Sequence, residues 1–181
     1  HRALADPSAG GRVTYTRLHD VLADCVPAVD RPHVLDAGCG RGGTMIDLAG
    51  RWDARCVGVT LSASQAADAN AAASRLGLHA RVRAEVRSYD EPPAGPFDVI
   101  VAIESLVHSA APERSVSALA RVLAPGGCLV VIDDMPEPGV DTRELTTFRM
   151  GWHAPVAWSR ADYLQAFHAE GLEVIRDLDL T

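Results

Sequence analysis

Lysine is absent from the 181 residues: the 17 basic side chains are all arginine, set against 24 acidic ones. That absence excludes a P-loop lysine for nucleotide phosphates, a Schiff-base lysine and a lysine general base. Positive charge is short overall, and a formal net charge of -7 argues against nucleic acid as a partner, because backbone binding needs clustered cations over the phosphates. A local arginine cluster for one anionic small molecule stays open, with Arg41, Arg149 and Arg160 as candidates. Cys25, Cys39, Cys56 and Cys128 include no C-x-x-C pair, so neither a metal site nor a redox dithiol is expected, and they read as reduced thiols in a cytoplasmic protein. No apolar run approaches the ~20 residues of a membrane span. A signal peptide is also missing, and since the chain starts at His1, something upstream is expected to have been cut or left out. Aromatics are scarce, with three each of Trp, Tyr and Phe.

What is present is a recurring pattern of buried-type strand followed by amphipathic helix. Residues 14 to 26 place Leu18, Val21, Leu22, Cys25 and Val26 on one helical face, closed by Pro27 and Pro32. HVLDA at 33 to 37 reads as a strand running into glycines, followed by a helix with Met45, Ile46, Leu48 and Ala49. RCVGVT at 55 to 60 makes the next strand, and Ser62 opens a helix that Gly77 stops. Strands are expected at about 80 to 86 and 97 to 103, the latter an apolar run suited to a parallel strand covered on both faces. A helix from Pro112 to Leu123 then turns at Pro125, Gly126 and Gly127 into the strand CLVVID. The alternation predicts an α/β fold with a doubly wound, mostly parallel sheet in a single domain spanning 1–181. Residues 135–159 break the rhythm as an irregular, substrate-side insertion. Phe148, Trp152, Trp158, Tyr163 and Phe167 fall in or just after it. A helix from about Arg160 to Glu170 and a strand from Leu172 to Leu178 complete the reading.

Residues 34 to 44, VLDAGCGRGGT, fit two spacings. Gly38, Gly40 and Gly43 make the G-x-G-x-x-G of a dinucleotide site; Asp36, Gly38, Gly40 and Gly42 make a D-x-G-x-G-x-G. Both use glycine to bend sharply at a strand end and let a ligand approach a helix N-terminus. Two features favour the second. An anionic Asp36 would repel a pyrophosphate, and the next strand ends in Thr60, Leu61 and Ser62 where a dinucleotide site expects a ribose-binding acid.

With GVTLSASQ at 58 to 65, FDVIVAIESLVHS at 97 to 109 and LAPGGCLVV at 123 to 131, the chain resembles the class I S-adenosylmethionine-dependent methyltransferases over nearly its whole length. GVTLSASQ is similar to a subgroup in which this stretch replaces the usual ribose acid, comprising sterol, tocopherol, cyclopropane-fatty-acid and natural-product methyltransferases, and the chain resembles geranyl diphosphate C-methyltransferases within it. The resemblance implies a Rossmann-like fold of seven strands, of which six can be read, so the last strand and part of an N-terminal covering are expected to be missing. It implies S-adenosyl-L-methionine as cofactor, with S-adenosyl-L-homocysteine as product. Asp36, Gly38 and Gly40 would line its methionine part, Thr60, Leu61 and Gln65 its ribose side, Ser88 and Tyr89 the adenine, and Ala102 with Ile103 the fourth-strand wall. Gln65 has a competing role, because Ser62 and Gln65 also make an S-x-x-Q capping box.

Methyl transfer from a sulfonium asks the protein mainly to align the reactants and exclude water. An alkene acceptor adds a need for carboxylate and aromatic faces near a developing cation, and for a base. Glu104, at the end of the fourth strand of the implied sheet, is the expected catalytic carboxylate; the alternative is a carboxylate satisfying local amides. His108 is either its partner as a base or a partly exposed polar residue. Trp152, His153 and Trp158 are expected substrate-binding residues, whereas Tyr163 and Phe167, at i and i+4, suit packing. Asp133 and Asp134 would hold Mg²⁺ only for a diphosphate acceptor; otherwise such acids are solvated or cap a loop. The expectation is a small-molecule methyltransferase of bacterial specialised metabolism acting on carbon of an isoprenoid, with oxygen or nitrogen methylation of a natural product as the alternative. A dinucleotide-binding domain and a non-catalytic cofactor-binding protein follow. No membrane partner is expected, and a homo-oligomer is left open.

Overall fold

The computed structural model describes residues 4–6, 12–14, 16–26 and 29–180; Pro27 lies outside them. A short antiparallel hairpin, β1 (Leu4–Asp6) and β2 (Arg12–Thr14), precedes helix α1 (Thr16–Cys25). The main sheet contains β3 (His33–Ala37), β4 (Arg55–Thr60), β5 (Val82–Val86), β6 (Phe97–Ile103) and β7 (Leu123–Ile132), all parallel, in the order β5-β4-β3-β6-β7. The crossovers are α2 (Gly43–Arg51), α3 (Ala63–Arg75) and α4 (Pro112–Ala120), and α5 (Thr142–Trp152) and α6 (Arg160–Ala169) follow the last strand.

Side chains alternate between the two faces of a strand, and here both faces are apolar. Val34, Val99, Val101 and Ile103 pack with Leu22, Met45, Leu48 and Ala69 from α1, α2 and α3. Leu35, Val57, Val59, Ile100 and Ala102 pack on the other face with Val116 and Leu119 of α4 and Tyr163 of α6. A sheet covered twice explains why these strands read as unbroken apolar runs. Gly58, in the middle of β4, lets α2 and the glycine loop settle on the sheet: a Cβ there would lie 2.7 Å from Cys39 Sγ and nearer still to Met45 Sδ.

Three expectations change. Leu172 to Leu178 forms no strand, because a strand needs a pairing edge and a groove of about 1500 Å³ lies between this segment and β7, lined by both. The main sheet therefore has five strands. The segment 135–159 is not irregular throughout, since it holds α5, whose Asp141 side chain accepts from the Arg143 and Glu144 amides while Glu144 accepts from the Asp141 amide, a complete capping box. Helix α4 stops at Ala120, and β7 starts at Leu123: Leu123 faces Phe97 and Cys128 faces Val99, so that Ala124 to Gly127 bulge from the ladder.

A different groove, of about 520 Å³, opens at the amino-terminal ends of β3, β4 and β5 and gathers Arg31, Arg55, Arg81 and Arg83 with His33 and His79. Asp53 pairs with Arg31 and Arg81 there.

Candidate active site

In the order β5-β4-β3-β6-β7 the chain winds outward from β3 in one direction and from β6 in the other. The crevice at the carboxyl ends of β3 and β6 is where an open α/β sheet receives a ligand. The glycine loop leaves β3 there, and Glu104 follows β6.

The backbone separates the two glycine spacings. Gly38, Gly40 and Gly42 have φ of +105°, +52° and +80°, the region that favours glycine, whereas Gly43 is the first residue of α2 and has no positive φ. The conformationally required glycines are therefore those of D-x-G-x-G-x-G. A Cβ on Gly38 would collide with Ser105 Cβ, which brings the loop against the turn that follows Glu104; at Gly40 a Cβ would meet nothing within 4 Å, leaving an open cradle. The Gly38 and Cys39 amides donate to Val59 O at 3.0 and 2.9 Å, fixing the loop on β4.

Asp36 is 3% exposed, its Oδ2 is buried without a hydrogen-bond partner among the described residues, and burial pushes its carboxyl up to about 7. A buried carboxyl beside an open glycine cradle suits a cationic ligand, whose charge would restore the ionised form. Next to it, burial and Asp36 push the Cys39 and Cys56 thiols up to about 12, so neither is a nucleophile.

Thr60, at the end of β4, donates its hydroxyl to Gln65 Oε1 at 2.8 Å and accepts from the Ser62 amide at 3.3 Å. Ser62 Oγ accepts from the Gln65 amide at 3.3 Å. The expected capping box is thus half formed, because the Gln65 side chain reaches Thr60 and not the Ser62 amide. Leu61 stands out from the fold, 78% exposed. Ser88 caps the Asp90 amide at 3.1 Å, and Tyr89 donates to Ser105 O at 3.2 Å. Ala102 and Ile103 are buried on opposite faces of β6.

Glu104 has φ +49°, a left-handed backbone that is unfavourable by ~1–2 kcal/mol for a residue other than glycine. Such residues concentrate at functional sites when their surroundings hold them. Its amide donates to Ile132 O at 2.7 Å, and the 3₁₀ turn Leu106–His108 follows at once. His108 is exposed, with its ring 6.3 Å from that of Trp152. Trp158 sits edge-on to Tyr163 at 4.9 Å, and His153 is an exposed left-handed C-cap of α5. Trp152 is thereby brought to the turn after Glu104, while Trp158 joins the core under α6 and His153 projects to solvent.

Sequence reasoning left unassigned a contact that the fold makes. Asp133, just beyond β7, accepts from Tyr163 Oη at 2.9 Å and from the Val107 amide at 3.1 Å. It takes the loop-capping alternative, but on a turn 26 residues away in sequence; spacing alone carries no signal for such a pair. Tyr163 packs as expected, 6.0 Å from Phe167, and also has this polar task. The arginines considered for anions are engaged elsewhere: Arg41 with Asp68, Arg149 with the carbonyls of Ala154 and Pro155, Arg160 with Asp177.

Residues 34–127 match the family described as "Methyltransferase domain". The probable tocopherol O-methyltransferase of Oryza sativa subsp. japonica, a chloroplastic protein, is 34% identical over 157 residues, 81% of this chain and 43% of that protein. Ajmaline N-methyltransferase of Rauvolfia serpentina is 31% identical over 130 residues, 68% of this chain and 45% of the relative. The chain thus spans less than half the length of either relative. Geranyl diphosphate C-methyltransferase of Streptomyces coelicolor A3(2), solved with Mg²⁺, geranyl diphosphate and S-adenosyl-L-homocysteine, superposes with a TM-score of 0.87 at 26% identity, covering 99% of this chain and 75% of that one.

Proposed function

Since the chain belongs to the class I S-adenosylmethionine-dependent methyltransferases, we propose that it methylates a small molecule, and that the acceptor atom is a carbon of an isoprenoid or prenyl group. When bound, S-adenosylmethionine supplies a methyl group on a sulfonium, an electrophile that asks no nucleophile of the protein. Asp36, Gly38, Gly40, Thr60, Leu61 and Gln65 form its proposed cradle, with Ser88, Tyr89, Ala102 and Ile103 closing the adenine side. The unpartnered Asp36 Oδ2 and the open space at Gly40 support that fit.

The observation that carries the reading is Glu104, held in a left-handed backbone at the switch point on a turn that abuts the glycine loop. Its carboxylate faces positive charge as it develops on an alkene and takes up the proton released when the double bond is restored. Trp152, beside His108, offers an aromatic face to the same cation. The segment 135–159 is the substrate-side insertion: α5 buries none of its residues, so its apolar side is available to an acceptor. Mg²⁺ would accompany a diphosphate acceptor only. Similarity to a Streptomyces enzyme supports a place in bacterial specialised metabolism. No described helix is long and apolar enough to cross a membrane, and the four free cysteines suit the cytoplasm.

Oxygen or nitrogen methylation is the second reading, favoured by the O- and N-methyltransferase relatives and by the exposed His108 as base. Labelled S-adenosylmethionine offered with geranyl diphosphate and Mg²⁺, with a phenol and with an amine separates the two: label on carbon is expected, and label on oxygen or nitrogen supports the alternative. Glu104→Gln should lower carbon methylation by ~10²-fold or more. Unchanged turnover removes the catalytic carboxylate, and calorimetric binding of NADH without S-adenosylmethionine rejects both readings.

A further inference from the structure

We propose that Asp133 is a positioning residue: through the hydrogen bonds it accepts from the Val107 amide and the Tyr163 hydroxyl, it fixes the turn that presents Glu104 and His108. The kinetic half of this inference rests on the methyl-transfer reading above.

Three elements meet at this one carboxyl. Asp133 extends β7, Val107 belongs to the turn after β6, and Tyr163 comes from α6. Glu104 is anchored on its amino side by its own amide, which donates to Ile132 O at 2.7 Å. On its carboxyl side the turn is tied to β7 by the Val107 amide, which donates to Asp133 Oδ2 at 3.1 Å, and Tyr89 Oη donates to Ser105 O at 3.2 Å. A left-handed glutamate relaxes unless both sides are held. Without Asp133 only one side of Glu104 remains tied to β7, and the turn is free to move its carboxylate by the ångström that costs an aligned reaction about a hundredfold. Tyr163 in turn holds Asp133: its ring is buried between Trp158 and Phe167, so its hydroxyl is delivered from a rigid base.

The tie depends on charge. Burial pushes the Asp133 carboxyl up to about 7, against the lowering effect of the bonds donated by Tyr163 and by the Val107 and Ser105 amides, and Glu104 pushes it further up. Its titratable neighbours are Tyr163 on α6, Glu104 at the end of β6, Tyr89 after β5 and, next in its own chain, Asp134. An ionised carboxylate accepts these hydrogen bonds more strongly than a protonated one, so the turn tightens as pH rises through neutrality.

The test follows the Val107 amide by ¹⁵N NMR in the full chain from about pH 5 to about pH 9, bracketing the Asp133 transition. In the wild type its resonance should move with a midpoint near 7; Asp133→Asn should abolish the transition, and Tyr163→Phe, which removes a bond that lowers the pKa, should shift it to higher pH. In parallel, with geranyl diphosphate as probe acceptor, Asp133→Asn should lower kcat by about ten- to a hundredfold while S-adenosylhomocysteine affinity stays within roughly twofold. The acid limb of the Tyr163→Phe rate profile should rise with the NMR midpoint. A Val107 amide that does not titrate, or whose midpoint ignores Tyr163→Phe, overturns the proposal; so does equal loss of kcat and cofactor affinity. If Asp133→Asn fails to fold, the Tyr163→Phe shift decides alone. A wild type that binds S-adenosylhomocysteine but leaves geranyl diphosphate unmethylated refutes the acceptor assignment, and the amide titration then decides this inference by itself.

Discussion

Replacing Asp36 by Asn should make the protein more stable above neutral pH and worse at holding its cofactor. Burial alone raises the Asp36 carboxyl to about 7, about three units above an ordinary aspartate, and each unit corresponds to ~1.4 kcal/mol. From about pH 4 to about pH 7 the folded protein keeps a proton that the unfolded chain has already lost. Stability therefore falls as pH rises through that window, and the loss, ~4 kcal/mol, is complete above the folded value. Asparagine matches the shape of the protonated carboxyl and does not titrate, so the difference between variant and wild type should grow from near zero at about pH 4 to roughly 4 kcal/mol at about pH 8. Asp133, also raised to about 7, has the same slope in both proteins and cancels. Urea unfolding of the two proteins across this range measures the difference directly. Calorimetry should find S-adenosylmethionine bound about tenfold more weakly by the variant, a loss of ~1.4 kcal/mol. Parallel stability curves would show that Asp36 ionises as easily in the fold as outside it, and the argument for a buried carboxyl awaiting a cation would collapse.

Gly58→Ala should destabilise the fold by ~2–3 kcal/mol in urea melts, because the added methyl meets Cys39 Sγ at 2.7 Å and Met45 Sδ closer still in a packed core; a loss below the resolution of the melt would mean that the loop has room to shift. Thr60→Val removes the 2.8 Å bond to Gln65 Oε1, and weaker S-adenosylhomocysteine binding by roughly fivefold, with little change in melting, is expected from losing one polar contact. Trp152→Ala should raise the KM for the acceptor several-fold while leaving cofactor affinity alone, since its ring lies 6.3 Å from that of His108, beyond Glu104. Equal effects on both ligands would place Trp152 in the general support of the fold.

The strand-and-helix rhythm was legible because a sheet covered on both faces forces apolar runs such as FDVIVAI, whose residues are nearly all buried. The glycine string alone fitted two spacings, Asp36 and the missing acid after Thr60 favoured one of them, and the positive φ at Gly42 with none at Gly43 agrees with that choice. Helix α5 does carry a local signal: Asp141 and Glu144 stand three apart, as a capping box requires, ahead of Leu145 and Phe148. For Leu172 to Leu178 the sequence has strand character, yet pairing is a property of neighbours, and the groove beside β7 leaves it none. The Asp133, Tyr163 and Val107 association joins residues 26 to 30 positions apart through three elements, and no local pattern encodes it. Where Trp158 and His153 point was equally undetermined, since one is set by packing on Tyr163 and the other by the end of α5.

The arginine groove has a consequence for the opposite end of the sheet. Arg31, Arg55, Arg81 and Arg83 stand at the amino-terminal ends of the strands, whereas Asp36, Glu104, Asp133 and Asp134 stand at or beyond their carboxyl ends. Asp53 offsets part of the charge at the base, and the crevice gains negative charge as Asp36 and Asp133 ionise above about pH 7. Above that pH a cation diffusing nearby is drawn toward the glycine loop. Association of a cationic ligand should then slow with added salt while dissociation barely changes, and a chain without lysine sets four of its 17 arginines at the opposite end of the sheet.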